Sequence, residues 1–307
     1  MAWSGTGFVA RFSGEGLRFT QSGGPVQYTV VVDGQLASDL LTMEGEHSYQ
    51  IAGDLGAGEH LVEIYRRSEA NFGPVVLRSV DVDAGQLLPP PPAPARRIEI
   101  LGDSITCGYG NEGTTPSCPF SADTENHYMS YGAILARSLE AELSTVAWSG
   151  KGVVTNYGGD TSTTLVEMVD RAIPTSELSV WDYSLVKAPD ALIINLGTND
   201  YSTDNDPSDL DFVSTYVAML EIMRTRYPDA FILCTLGPML SGSDLDVART
   251  NIAAAVGERQ QAGDARVQSF ELEPNNPSPG CDYHPNLSTH ASMARVLQVP
   301  LQAVLGW

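Results

Sequence analysis

Basic residues are scarce in this chain. Lys and Arg total 17 against 38 Asp and Glu over 307 residues, a formal net charge of -21 at pH 7. Such a field repels a phosphate backbone, and no Lys/Arg cluster offsets it locally, so neither nucleic acid nor an anionic membrane surface is expected as a partner. Neutral or weakly charged substrates fit better. No apolar run reaches the roughly 18 residues that a membrane-spanning helix needs. Residues 1–5 carry neither the basic stretch nor the apolar core of a signal peptide. Cysteine is limited to Cys107, Cys118, Cys234 and Cys281, with no CxxC pair; the even number permits two disulfides and requires none. Histidines number five.

What is present points to two units. With 42% hydrophobic residues the chain can bury a core, and its length allows one large domain or two smaller ones. Residues 1–83 read as short alternating strands broken by glycine. The clearest are 27–32 and 61–67, with Asp33-Gly34 as a hairpin turn, which fits an all-β sandwich. Pro89 to Pro92 and Pro94 then interrupt the pattern, since consecutive prolines favour polyproline II geometry. The expected division is a β-sandwich over 1–88, a proline-rich linker over 89–97 and a second domain over 98–307.

In that second domain the pattern becomes strand, loop, helix. Strands are expected at 98–101, 145–148, 191–196, 231–236 and 266–270. Those at 191–196 and 231–236 are apolar on both faces, as parallel strands covered by helices should be. A helical stripe of Tyr131, Ile134, Leu135 and Leu139 lies in 129–143. Ser208 opens a helix carrying Phe212, Tyr216, Leu220, Met223 and Tyr227, with capping-box spacing to Asp211, and 289–301 forms a last helix. Together these predict a three-layer α/β/α domain with an open parallel sheet, whose ligand crevice lies beyond the carboxyl ends of its strands.

Four polar clusters follow expected strands: Gly102-Asp103-Ser104-Ile105-Thr106, Trp148-Ser149-Gly150-Lys151-Gly152, Gly197-Thr198-Asn199-Asp200 and Cys281-Asp282-Tyr283-His284-Pro285. Each alone is an ordinary turn. Jointly they place a serine, a histidine and several N–H donors on one rim. Serine attacks only when a base takes its proton, and His284 is the histidine past the last strand; His47, His60 and His290 read as surface or structural residues. The amides of Ser104 and Gly152 and the Asn199 side chain offer three donors for an oxyanion, each worth roughly 3 kcal/mol.

These residues, with the segment 100–113 around Ser104, resemble the GDSL-type (SGNH) hydrolases, whose fold is a flavodoxin-like α/β/α sheet. With 2–14 and 60–70, which are similar to a jelly-roll-like β-sandwich, they resemble carbohydrate esterase family 2, the two-domain acetylxylan esterases, over almost the whole chain. The resemblance implies Ser104 as nucleophile, His284 as general base then acid, and Ser104, Gly152 and Asn199 as oxyanion donors. It implies removal of acetyl groups from plant xylan or glucomannan with no metal or cofactor, secretion, and a monomer. A broad small-ester esterase or lipase, and a carbohydrate-binding protein without turnover, are the competing readings. An extended apolar lid, which would favour the lipase, is missing.

One departure from the pattern concerns the histidine. Position 281, where many GDSL-type enzymes carry an orienting Asp, is Cys. Asp282 stands two residues before His284, so either its carboxylate or a backbone carbonyl, that of Tyr283, orients the ring; the carbonyl dyad is preferred. Asp103 then braces the nucleophile loop. Trp148 and Tyr283 are candidate sugar platforms, Trp148 fitting the core equally well. Glu125 and Asn126 are candidate substrate contacts. Pairing of Cys107 with Cys118, close in sequence, and of Cys234 with Cys281 is expected.

Overall fold

A computed structural model describes residues 1–272 and 279–307. Its first part is a sandwich of two antiparallel sheets. One runs in the order Gln35–Leu36, Gln27–Val32, Glu59–Arg66, Gly7–Ser13 and Gln86–Leu87, with Leu40–Leu41 also on Gln27–Val32; the other runs Gly45–Ala52, Gly16–Gly23, Val75–Asp83. Alternation brings Phe12, Leu17, Phe19, Tyr28, Val62 and Ile64 into one buried cluster between the sheets. Asp33 and Gly34, both left-handed at φ 50° and 76°, make the expected turn.

The second part is a parallel sheet in the order Ala141–Ala147, Arg96–Gly102, Ala191–Asn195, Phe231–Leu236, Val267–Glu271. Ala191–Asn195 and Phe231–Leu236 are buried throughout because both faces are covered. Leu192, Ile194, Ile232 and Cys234 face Asp209–Arg226 and Gly242–Gln261, in a cluster with Leu220 and Ile252. Ile193, Phe231 and Leu233 face Tyr131–Ser138 and Leu287–Leu305, with Leu135 and Leu297. Ser208 caps its helix as the sequence predicts, accepting the Asp211 N–H at 3.1 Å.

Two elements differ from expectation. The strand expected at 145–148 is Ala141–Ala147: the chain leaves the preceding helix at Ser138, Glu140 turns at φ 52°, and pairing with Arg96–Gly102 begins at once, from Ala141 opposite Arg96. The helix Gly242–Gln261 is not signalled by hydrophobic period. Its buried face is Ala248, Asn251, Ile252, Ala255 and Val256, mostly small side chains that leave no apolar stripe in the sequence.

The two parts meet over named contacts. Trp3 Nε1 donates to the Arg171 carbonyl at 2.9 Å, the His127 N–H to the Arg67 carbonyl at 3.0 Å, and Gln27 to Asp123 at 2.6 Å. Arg67 also pairs with Asp39 and Glu112.

Candidate active site

All four clusters stand where the parallel strands deliver them. Directly after Arg96–Gly102 the chain turns into the short helix Ser104–Cys107. Asp103 caps it, its Oδ1 accepting the Ile105 N–H at 3.0 Å. Asp103 is buried; burial, and secondarily the charge of Asp200, push its carboxyl up to about 7. It therefore braces the turn and does not reach the histidine. Ser104 itself is 7% exposed.

His284 Nε2 lies 2.8 Å from Ser104 Oγ, although the residues are 180 positions apart. Its Nδ1 lies 3.0 Å from the backbone carbonyl of Asp282, and that oxygen can only accept, so Nδ1 carries the proton and Nε2 offers a lone pair to the serine. Burial of the ring lowers its pKa to about 4, keeping it neutral at pH 7. The orienting carbonyl is that of Asp282, not Tyr283, and the Asp282 carboxylate points elsewhere, accepting the Tyr109 hydroxyl at 2.7 Å. The cause is local backbone: Asp282 and Tyr283 both have positive φ, 47° and 61°, which folds the carbonyl back under the imidazole. Non-glycine residues hold such angles only where the surroundings insist.

Those surroundings are the loop after the nucleophile helix. Tyr109 stacks on His284 with centroids 4.1 Å apart and on Phe120 at 4.2 Å. The Cys281 N–H donates to the Gly110 carbonyl at 3.0 Å and the Asp282 N–H to the Cys118 carbonyl at 3.2 Å. A disulfide joins Cys118 to Cys281. This corrects both expected pairings. Cys107 is buried in the nucleophile helix and Cys234 in a central strand, both as free thiols, so neither reaches its expected partner. Closing a loop of 163 residues, the bond constrains the unfolded chain strongly. Adding reductant is expected to lower unfolding free energy by about 2–4 kcal/mol, read from denaturant titrations with and without dithiothreitol.

On the oxyanion side the amides differ in their partners. Gly152 is buried and its N–H donates to Asn156 Oδ1 at 3.2 Å, so that amide is already used. A Cβ there would meet the Thr155 carbonyl oxygen at 1.9 Å, which is why glycine is required. Two residues earlier, Gly150 sits at φ 78° in a tight turn closed by the Lys151 N–H on the Trp148 carbonyl, 3.2 Å. Among the described residues nothing accepts from the Gly150 or Ser104 amides. Asn199, 7% exposed, donates one Nδ2 hydrogen to the Lys151 carbonyl at 2.9 Å, leaving the other for the crevice. Asp200 fixes the rest of the loop by accepting the N–H groups of Val153, Val154 and Thr155 at 3.0, 2.8 and 3.0 Å.

The expected substrate contacts divide. Tyr283 is 68% exposed and Trp148 half-buried. Glu125 and Asn126 are both buried, Glu125 completely. Asn126 is bound into its own loop, donating from Nδ2 to Glu112 at 2.7 Å and accepting on its carbonyl from Asn111 at 2.8 Å. Tyr157, 64% exposed beside the Gly150 turn and donating its N–H to the Gly150 carbonyl at 2.8 Å, is a rim aromatic that the sequence did not single out. Among the described residues no helix is long and apolar enough to cross a membrane.

Comparison with known proteins gives the family. The family model described as carbohydrate esterase 2 N-terminal matches residues 1–92, and that of the GDSL-like lipase/acylhydrolase family matches 100–291, a span holding both Ser104 and His284. The chain is 37% identical over its whole length to the cellulase/esterase CelE of Acetivibrio thermocellus, of which it spans 38%. It is 30% identical over 91% of its length to an acetylxylan esterase/glucomannan deacetylase of Cellvibrio japonicus, spanning 76% of that protein. A family two carbohydrate esterase from Clostridium thermocellum, solved in complex with cellohexaose, superposes with a TM-score of 0.96 at 36% identity, covering 100% of this chain and 94% of that one. With a β-sandwich, a parallel α/β/α sheet and these matches across both, the chain belongs to carbohydrate esterase family 2 of the GDSL-like acylhydrolases.

Proposed function

We propose that this chain removes O-acetyl groups from a plant cell-wall polysaccharide, xylan or glucomannan, through an acyl-enzyme formed on Ser104. The contact of Ser104 Oγ with His284 Nε2 at 2.8 Å, with Nδ1 tied to a carbonyl, carries this reading. The hydroxyl passes its proton to Nε2 as Oγ adds to the acetyl carbonyl carbon. The resulting oxyanion takes hydrogen bonds from the amides of Ser104 and Gly150 and from Asn199 Nδ2, Gly150 replacing Gly152 in that role. As the tetrahedral adduct collapses, the imidazolium returns its proton to the departing sugar oxygen. A water activated by the same nitrogen then releases acetate and restores Ser104.

The acetylxylan and glucomannan activities named for the Cellvibrio japonicus relative, and the cellohexaose bound by the Clostridium thermocellum relative, support a β-linked sugar polymer as substrate. Tyr157, Tyr283 and Trp148 then offer apolar faces for sugar rings at the rim. A polymer of that kind places the enzyme outside the cell. We place the division between the parts in 89–97, and take the chain to act as a monomer, since one chain supplies every group named.

Acetate release from acetylated xylan, acetylated glucomannan and 4-nitrophenyl acetate, against 4-nitrophenyl palmitate, tests the reading. The expected result is turnover of the acetylated substrates, with the long-chain ester poor. Because the neutral imidazole is the base, kcat/KM should climb with pH through about 4 and level above it, as His284 loses its proton. Preference for palmitate, or no acetate from any substrate, would refute it.

A further inference from the structure

Beneath the nucleophile helix lies a buried acidic group that the route above does not use. Glu69, Cys107 and Glu125 are each 0% exposed, and their carboxylate oxygens and sulfur lie within 4.8 Å of one another. Glu69 comes from the β-sandwich side, just after the strand Glu59–Arg66; Cys107 ends the nucleophile helix. Glu69 Oε2 accepts the Ser149 N–H at 2.7 Å. Ser149 and Gly150 are the two central residues of the turn closed between Trp148 and Lys151. The peptide between them carries the Gly150 N–H, which has no acceptor among the described residues. Glu69 thus holds the Trp148–Ser149 peptide, the one immediately before the peptide that carries the Gly150 amide.

The carboxylates are not neutralised in the ordinary way. Arg66 is buried nearby, but its guanidinium donates to the carbonyls of Ser68, Glu69 and Gly73 at 2.9, 2.7 and 2.8 Å, not to a carboxylate. Arg67 gives its side-chain pairs to Asp39 and Glu112. Among the described residues, Glu69 Oε1 and both Glu125 oxygens have no hydrogen-bond partner. Two carboxylates this close and this dry do not both stay ionised. Burial accordingly pushes both up from the usual carboxylate range.

We infer that Glu69 is a positioning residue for the oxyanion turn, contributed by the β-sandwich, and that Glu125 lies against it as a neutral acid so that the pair holds one proton. The inference rests on the esterase reading and assigns the β-sandwich a part in turnover beyond any contact with sugar. Its mark is a split between kinetic constants. A misplaced Gly150 amide weakens the transition state while leaving the sugar contacts alone, so kcat falls and KM holds.

The test uses the full chain and 4-nitrophenyl acetate. Glu69→Ala is expected to lose about 10- to 100-fold in kcat with KM within about twofold, and Glu69→Gln, which keeps an acceptor for the Ser149 N–H, to recover most of the loss. Because Glu69→Ala empties a buried site, Glu69→Asp is measured beside it; the shorter side chain draws away from Ser149 and should show the same split more mildly. The infrared spectrum of wild type minus Glu125→Gln at neutral pH should contain the carbonyl band of a protonated carboxylic acid. Wild-type kcat in Glu69→Ala or Glu69→Asp, or a loss expressed in KM alone, overturns the positioning role. A missing acid band, or one equivalent of divalent metal retained by wild type and lost in Glu125→Gln, overturns the shared proton. Failure of the esterase reading would differ, since wild type itself would release no acetate.

Discussion

Ser104→Ala is expected to cut kcat for acetate release by about four to six orders of magnitude, with KM changed little. The size follows from the loss of the covalent route. Without Oγ, acetyl transfer must proceed by direct attack of water, which His284 is not placed to aim at a carbonyl held for the serine. What remains is the rate enhancement from binding and oxyanion donors, roughly 10³–10⁴ over water. The fold should tolerate the change: the helix Ser104–Cys107 keeps its cap, Asp103 Oδ1 on the Ile105 N–H at 3.0 Å, and no cavity larger than a hydroxyl opens. Acetate assays on purified enzyme, with a thermal melt matching wild type, check it. Adding His284→Ala to Ser104→Ala should cost almost nothing more, because two groups that act as one lose their function together. Near-wild-type turnover by Ser104→Ala would remove the acyl-enzyme from consideration.

The parts of the site readable from sequence are those governed by local pattern. A strand that is apolar on both faces announces a covered parallel sheet, and a polar cluster at its carboxyl end announces a crevice; Ser104, Asn199 and His284 follow from that rule. The groups that were misjudged depend on distant atoms. Gly150 and Gly152 are equivalent in the sequence, and only the position of the Asn156 side chain decides which N–H stays free. Cys107 and Cys118 are neighbours in the chain, yet the nucleophile helix turns the first inward beside Glu69 while a loop carries the second to Cys281. Glu125, expected as a substrate contact, is 0% exposed. Its burial becomes intelligible only when the β-sandwich covers it. The orienting carbonyl lay one residue from the expected one because two successive left-handed residues cannot be foreseen in a segment without glycine.

Asn199→Ala carries the second large effect, a fall in kcat of about 10²–10³ with KM nearly constant. Two contributions add. The crevice-facing Nδ2 hydrogen is lost, and a donor aimed at developing charge in a site closed to water is worth roughly 3–4 kcal/mol. The bond from Nδ2 to the Lys151 carbonyl at 2.9 Å disappears as well, loosening the turn that presents Gly150. Asn199→Asp separates the two. It keeps the shape but replaces donor with acceptor, setting a negative charge against both the oxyanion and the Lys151 carbonyl, so it should be at least as damaging as alanine. If geometry of the turn were the whole effect, a variant that loosens the turn from the far side would match it. Glu69→Ala is that variant, and its smaller expected loss separates charge stabilisation by Asn199 from positioning by Glu69. Equal kcat losses in Asn199→Ala and Glu69→Ala, measured on 4-nitrophenyl acetate at one pH, would instead assign Asn199 to holding the loop alone.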